Sequence, residues 1–448
     1  MEDQVVDQVP VIAVTAAVGA VILLLVLLCN VRKSLSVSKK RKGKNQTNGV
    51  SHSKKKAPPP QSKKAKPSNR VVKHSFSHPW LAGTLKGHGG NVLGLDFSVN
   101  NKYLISCAED RTVYLWSVKD FAQKEHKSIR SNVELDHATK IKFSPDSRAF
   151  IVSLYYANTI RVYKIGKKDD GTPGNITAVL DFPQEHGNCE IFKIGIASNG
   201  KFIMTAYKDT TIILWDLKGE ILAKIDTHQM SNSCCVISPC GRFVGSSGFT
   251  PDVKVWSVVF DKTSSFKEVS RAFELKGHNA GIYSFSFSND STRMASVAKD
   301  GTWKFWDTNI EYQLGQEPYL LHTGKFVSPG LSTITLAPDG LSCVIATGKT
   351  LTVFNTVSGN LAVTYENVHA DEITEVAYDQ GSKYIVYTGD RHICVFYNIP
   401  GAQAKVADLT EKKMKAKTHS IRERLSPQLD EARKYLENLL ETVSQKTP

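Results

Sequence analysis

The sequence predicts an all-β body, a seven-bladed propeller, preceded by a single amino-terminal transmembrane helix and a disordered basic linker and followed by a carboxy-terminal amphipathic helix. Three observations carry this reading. An aromatic residue recurs seven times at a spacing of about 40 to 50 residues, short β-branched runs alternate with turn chemistry between the recurrences, and one uninterrupted apolar stretch stands ahead of a lysine-rich segment. The expected boundaries are 1–8 for an acidic lumenal head, 9–31 for the span, 32–75 for the linker, 76–400 for the propeller and 401–448 for the helical tail.

The closing aromatics are Trp116, Tyr163, Trp215, Trp256, Trp306, Phe354 and Phe396. In three units a histidine precedes the tryptophan by 28, 29 and 28 residues: His88, His186 and His278. Weaker units open at Asp136-His137, His228, Gly324 and His369. Ser144-Pro-Asp-Ser147, Ser198-Asn-Gly200, Ser238-Pro-Cys-Gly241, Ser288-Asn-Asp-Ser291 and Ala337-Pro-Asp-Gly340 each fall between the first two strands of a unit. There Pro presets φ, and Asp, Asn or Gly accept the turn. The run Pro79–Leu85, ahead of the first Gly-His, is expected to pair as the outer strand of the last blade and close the ring.

These residues resemble the WD40 repeat family over about residues 80 to 400. In that family a His, a Ser or Thr, an Asp and a Trp lock each blade, and three units match the set: His88, Ser106, Asp110 and Trp116; His186, Thr205, Asp209 and Trp215; His278, Ser296, Asp300 and Trp306. A buried Asp must be paired, and a His between it and a hydroxyl pairs it. The same trio read as Ser-His-Asp catalysis would need an exposed nucleophile and an oxyanion site, and threefold repetition favours the structural role. The other units depart from the pattern, with Ala157, Thr250 and Gly348 in place of the turn Asp, while the seventh keeps Asp390 and ends in Phe396.

Val11 to Cys29 is apolar throughout and residues 8–31 hold no charge, enough for a helix to cross a hydrocarbon core. The head before it is acidic rather than basic, which argues against a cleaved signal peptide. Fifteen Lys or Arg and no acid lie in 32–73, leaving 42 basic against 40 acidic residues downstream. The basic excess therefore belongs to the linker, and the folded part is nearly neutral. Positive charge after the span places the amino terminus on the lumenal or exterior side and the propeller in the cytosol. The sequons at Asn45, Asn175 and Asn289 are then expected to stay unmodified. The linker is too polar to offset its ordering entropy. Its Lys39, Lys40, Arg41, Lys42, Lys54, Lys55, Lys56, Lys63 and Lys64 are candidate contacts to anionic lipid or to RNA phosphates.

The eight cysteines form no CxxC pair, and reduced, mostly buried thiols are expected. No Cys/His pair at finger spacing completes a site with Cys234, Cys235 and Cys240. In the tail, Ser426 is expected to cap a helix that Pro427 opens, with Leu429, Ala432, Leu436, Leu439, Leu440 and Val443 on one face. That face suits docking on the propeller or a coiled-coil contact with a partner or second copy.

Nothing supplies a phosphate loop, metal cluster or activated nucleophile, so no catalytic, cofactor or metal residue is assigned and the expected role is a non-enzymatic scaffold for protein partners. The alternative is a membrane-bound nucleotide-exchange factor for a small GTPase. A closer resemblance, carried by segments such as 132–139, 238–244, 248–256 and 299–304, is to endoplasmic-reticulum-membrane members of the WD40 family. It implies a single-pass protein of that membrane, associated with the resident stress kinase that phosphorylates a translation initiation factor and with RNA or ribosomes, in unfolded-protein-response and translational control.

Overall fold

The computed structural model describes residues 78–445 except Asn188, Ser328 and Pro329. The acidic head, the span 9–31 and the candidate lipid or RNA contacts from Lys39 to Lys64 lie outside the described residues. No helix among the described residues is long and apolar enough to cross a membrane.

Seven four-stranded antiparallel sheets account for the body. With strands a to d counted outward, blade 1 spans 92–132, blade 2 138–181, blade 3 191–226, blade 4 232–276, blade 5 282–325 and blade 6 332–365. Blade 7 takes strands a to c from 375–397 and its outer strand from Leu81–Lys86, which pairs antiparallel with His392–Tyr397. The a strands touch in a closed ring from blade 1 to blade 7 and back to blade 1. The ring closes as the sequence predicts, with a strand from the start of the body clasping one from its end. All seven predicted aromatics sit on c strands.

Burial follows strand position. The b strands, such as Tyr103–Ala108 and Ile203–Tyr207, lie between neighbouring blades and are buried on both faces, so they read as continuous apolar runs rather than alternations. Strand d of blade 1, Ser128–Asn132, alternates at the outer rim. The a–b turn repeats in every blade: Asn101, Ser147, Gly200, Gly241, Ser291, Gly340 and Ser382 all adopt positive φ. This is the left-handed conformation that Asn and Gly accept most readily. Ser98 Oγ donates to Asn100 Oδ1 at 2.8 Å and accepts from Tyr103 N at 2.9 Å, so a serine side chain ties the turn as the Ser-x-Asx signature implies.

The tail differs from expectation. It is a hairpin of two helices, α1 (Ile399–Lys415) and α2 (His419–Ser444), capped by Asn398 and Thr418. Pro427 lies inside α2, and Ser426 Oγ donates to Arg422 O at 2.9 Å instead of capping. Ser-Pro is a local start signal, but a hydroxyl bonding back to the i−4 carbonyl is compatible with a helix that packing already holds. Leu439 and Val443 join Ile399 and Ala402 in the core shared with blades 1 and 7. Leu429 and Ala432 pack on Leu409 within the hairpin. The apolar face docks on the propeller, and only Leu440 of the predicted set is exposed.

Candidate protein-docking face

Each blade's b–c loop and the loop entering its a strand lie on one face, because antiparallel strands return there; we call it the top. In blade 1 the tetrad is complete. Trp116 Nε1 donates to Ser106 Oγ at 2.9 Å, Ser106 meets His88 Nε2 at 2.7 Å, and His88 Nδ1 lies 3.0 Å from Thr112 Oγ1 and 3.5 Å from Asp110. Asp110 also accepts the Gly89 and Thr112 N–H groups. Blade 5 repeats this: Trp306 to Ser296 at 3.0 Å, Ser296 to His278 at 2.8 Å, His278 to Asp300 at 3.2 Å. Burial lowers both histidine pKa values despite the neighbouring carboxylate, so the rings are neutral locks between the top loops and the blade centre. Ser106 and Ser296 are wholly buried and fully bonded, which rules them out as nucleophiles.

Blade 3 joins Trp215 to Thr205 at 2.8 Å and His186 Nε2 to Asp209 at 2.6 Å, but His186 does not bond Thr205. Blade 7 keeps half the device: buried His369 lies 3.7 Å from Asp390 and 3.9 Å from Cys394 Sγ.

The even blades solve the same problem with other groups. In blade 4, His228 holds the sequence position of the tetrad histidine but is exposed beside Asp226. Gln229 turns inward instead, bonding Ser246 O and Asp252 O and accepting from Thr250 Oγ1. In blade 2, Asp136 rather than His137 is buried, and it accepts N–H groups from His137, Tyr156 and Ala157. In both loops spacing located the site, yet a positive φ at His228 or the first of two polar residues decides which side chain faces in.

Where the tetrad is lost, apolar side chains reach solvent. Leu135 (92% exposed), Tyr155 and Tyr156 belong to the top loops of blade 2, Met230 and Phe249 to those of blade 4, and Val327 (89%) and Leu331 to the loop entering blade 6. Among the described residues, the top loops of blades 1, 3, 5 and 7 expose no large apolar side chain. Isolated exposed hydrophobics need no explanation; their gathering on the loops of one face makes that face the candidate interaction surface. The sequence could have suggested it through Tyr155-Tyr156 and Phe249, aromatics standing in turns rather than strands.

The channel at the centre of this face is plugged by charge. A bulge at the same place in the a strands of blades 2 and 3, next to Lys140 and Lys193, breaks the register, and such bulges re-aim side chains. Lys140 Nζ and Lys193 Nζ both meet Glu375 Oε1 of blade 7, at 2.7 and 3.2 Å, and Lys140 also donates to Leu93 O. Burial works to raise the Glu375 carboxyl, but the two ammonium groups outweigh it and hold the group down at about 2. Sequence reasoning missed this triad, whose members stand as far as 235 positions apart. The one signal is lysine within the a strands, Lys140 and Lys142 in Ala138–Phe143 and Lys193 in Ile191–Ile196.

On the opposite face the helical hairpin leaves a cleft of about 1410 Å³ against blades 1, 2 and 7. The seven described cysteines are unpaired, with Cys234 and Cys235 buried and Cys240 exposed. Burial pushes the Cys107 thiol up to about 12 and the Cys394 thiol up to about 11, leaving neither as a thiolate nucleophile at neutral pH.

The WD domain, G-beta repeat model matches residues 79–117, 177–216 and 270–307. These ranges end at the c strands of blades 1, 3 and 5, the blades with the four-residue set, the second range one residue past Trp215. A Mus musculus protein named transducin beta-like protein 2 is 51% identical over 385 residues, covering 84% of this chain and 87% of that protein. The Homo sapiens protein of the same name is 48% identical over 386 residues, covering 84% and 86%. Homo sapiens striatin-4 is 24% identical over 225 residues, 50% of this chain and 29% of that protein.

Proposed function

We propose, from the premise that the chain belongs to the transducin beta-like protein 2 family of WD40-repeat proteins, that it is a non-enzymatic scaffold whose top face binds protein partners at the endoplasmic-reticulum membrane. The observation that carries this is the set of solvent-facing apolar residues in the top loops of the even blades. A propeller offers them on a rigid frame, so little ordering cost opposes binding. The partner is the cytosolic segment of the ER-resident stress kinase, and the setting is the unfolded-protein response and translational control.

Residues 9–31 anchor the chain with its amino terminus in the lumen, and the linker lysines add contact to anionic lipid or ribosomal RNA. Two of the three sequons support a topology test, because Asn175 and Asn289 are exposed. A cytosolic propeller leaves both unglycosylated in cells, and sugar on either would overturn the orientation. Deleting 32–73 should abolish RNA recovery while kinase binding persists.

The direct test of the docking face is co-precipitation of the kinase from stressed cells with wild-type chain and with Tyr156→Ser/Met230→Ser/Phe249→Ser/Val327→Ser. The account expects the variant to fold and lose the kinase. Undiminished recovery with the variant would place the interface elsewhere, and accelerated nucleotide release from a small GTPase by the wild type would favour exchange activity over a pure scaffold.

A further inference from the structure

Blades 1, 3 and 5 carry the same four residue types, but blade 3 does not assemble them in the same way. In blades 1 and 5 the histidine side chain is 1% and 0% exposed and its Nε2 meets the serine hydroxyl. In blade 3 the His186 side chain is 29% exposed, and its Nε2 turns to Asp209 Oδ2. The hydroxyl there belongs to threonine, and Thr205 Oγ1 accepts from Trp215 while pointing at Ile213 O. Blade 3 also differs at the third residue after the histidine, where Cys189 replaces Asn91 of blade 1 and Gly281 of blade 5. A tight turn, with Gly187 at φ +46 and Cys189 N donating to His186 O at 3.2 Å, folds that cysteine back. His186, Cys189 and Asp209 then each offer a donor atom, all within 4.8 Å of one another.

We propose that this cluster is a divalent-metal site for a zinc-class ion, with His186 Nε2, Cys189 Sγ and Asp209 Oδ2 as ligands and water in the fourth position. Imidazole, thiolate and carboxylate suit zinc, while the thiolate disfavours magnesium and calcium. On binding, Cys189 releases its proton to solvent, and thiolate plus carboxylate match the charge of a dication. Bond lengths of about 2.0–2.3 Å place tetrahedral ligand atoms roughly 3.3–3.8 Å apart. The His186–Asp209 contact must therefore open slightly and the sulfur approach, a movement confined to two partly exposed top loops. The ion would pin those loops in the one blade of the three whose histidine has left the interior.

The test is titration of the full chain, chelator-treated in mild detergent, with Co²⁺ and then Zn²⁺. The proposal expects one Co²⁺ per chain with a thiolate charge-transfer band that Zn²⁺ displaces. Cys189→Ser should remove the band and weaken Zn²⁺ binding by about a hundredfold or more, since even loss of outer-shell partners costs tenfold to a hundredfold. Cys189 is half-buried against the core of blades 2 and 3, but serine is of similar size and Cys189→Ser leaves the His186–Asp209 pair in place, so circular dichroism should show the fold kept. Cys240→Ser, which removes the exposed thiol on the other face, should leave band and affinity intact. No thiolate band, or a band that survives Cys189→Ser, would overturn the assignment.

Discussion

Odd and even blades share one architecture and hold their top loops differently. Blades 1 and 5 do so with a neutral histidine between a buried hydroxyl and an aspartate, and blades 3 and 7 keep parts of that device. Blades 2 and 4 use whatever buried polar group can reach the loop backbone, Asp136 in one and Gln229 with Thr250 in the other. Among the described residues, the exposed large apolar side chains on the top face belong to blades 2, 4 and 6 alone. The difference teaches that a rigid ring does not need every lock: with blades 1 and 5 fixed by the complete tetrad and blades 3 and 7 by parts of it, the loops of blades 2, 4 and 6 are free to carry recognition residues.

The largest expected effect concerns the element both classes share. Glu375→Ala leaves Lys140 and Lys193 facing each other in the channel; the three side chains keep 15–28% exposure, so the loss should reach only the lower end of the about 3–5 kcal/mol that breaking a fully buried pair costs, read by chemical denaturation. The odd–even contrast itself is sharpened by two histidines at matching sequence positions. His278→Ala removes the ring that links Ser296 to Asp300, leaving them only the bonds from Trp306, Asn279 and Thr302, and should cost about 2–3 kcal/mol, whereas His228→Ala, at an exposed site, should stay within about 0.5 kcal/mol. Equal costs would break the distinction.

Titration gives a third handle. Burial lowers the pKa of His88, His278 and His369. Each folded-state value thus lies below the unfolded 6.5, and the unfolded chain binds more protons in that window. Stability contributed by the neutral rings is complete above pH 6.5 and is lost as pH falls through the folded-state values. Melting temperature should drop on acidification from pH 7 to 5, and less steeply in His278→Ala. Glu375 acts in a separate window: its folded-state value is depressed from 4.5 to about 2, so its contribution is present above pH 4.5 and disappears as pH falls toward 2. The smallest stability effect is expected of Phe249→Ser and Tyr156→Ser, each within about 0.5 kcal/mol, with at least tenfold weaker partner binding if they are anchors.

Much of the fold was legible because repetition supplies its own control. Seven aromatics and five a–b turns located every blade, and the strand Leu81–Lys86 was recognisable as the closing strand because it preceded the first unit without an inner partner. Finer points escaped where two neighbouring residues competed for one role. His228 has the right spacing but Gln229 faces inward, and Ser426-Pro427 has the chemistry of a helix start but sits in mid-helix. The Lys140–Glu375–Lys193 plug left no signal beyond lysines in two a strands, since only ring closure brings blades 2, 3 and 7 together. The docking face was signalled only by Tyr155, Tyr156 and Phe249 standing in turns, because exposure of an apolar loop residue is a property of the assembled ring.

The central claim, that even-blade loops and not odd-blade loops contact partners, is tested most directly by site-specific photocrosslinking in cells. A benzophenone side chain would be placed at Tyr156 or Phe249, in blades 2 and 4, and at Arg111 or Arg391, exposed in the matching loops of blades 1 and 7. The account predicts strong adducts to the kinase from the first pair and weak or none from the second. Adducts confined to Arg111 and Arg391 would contradict it.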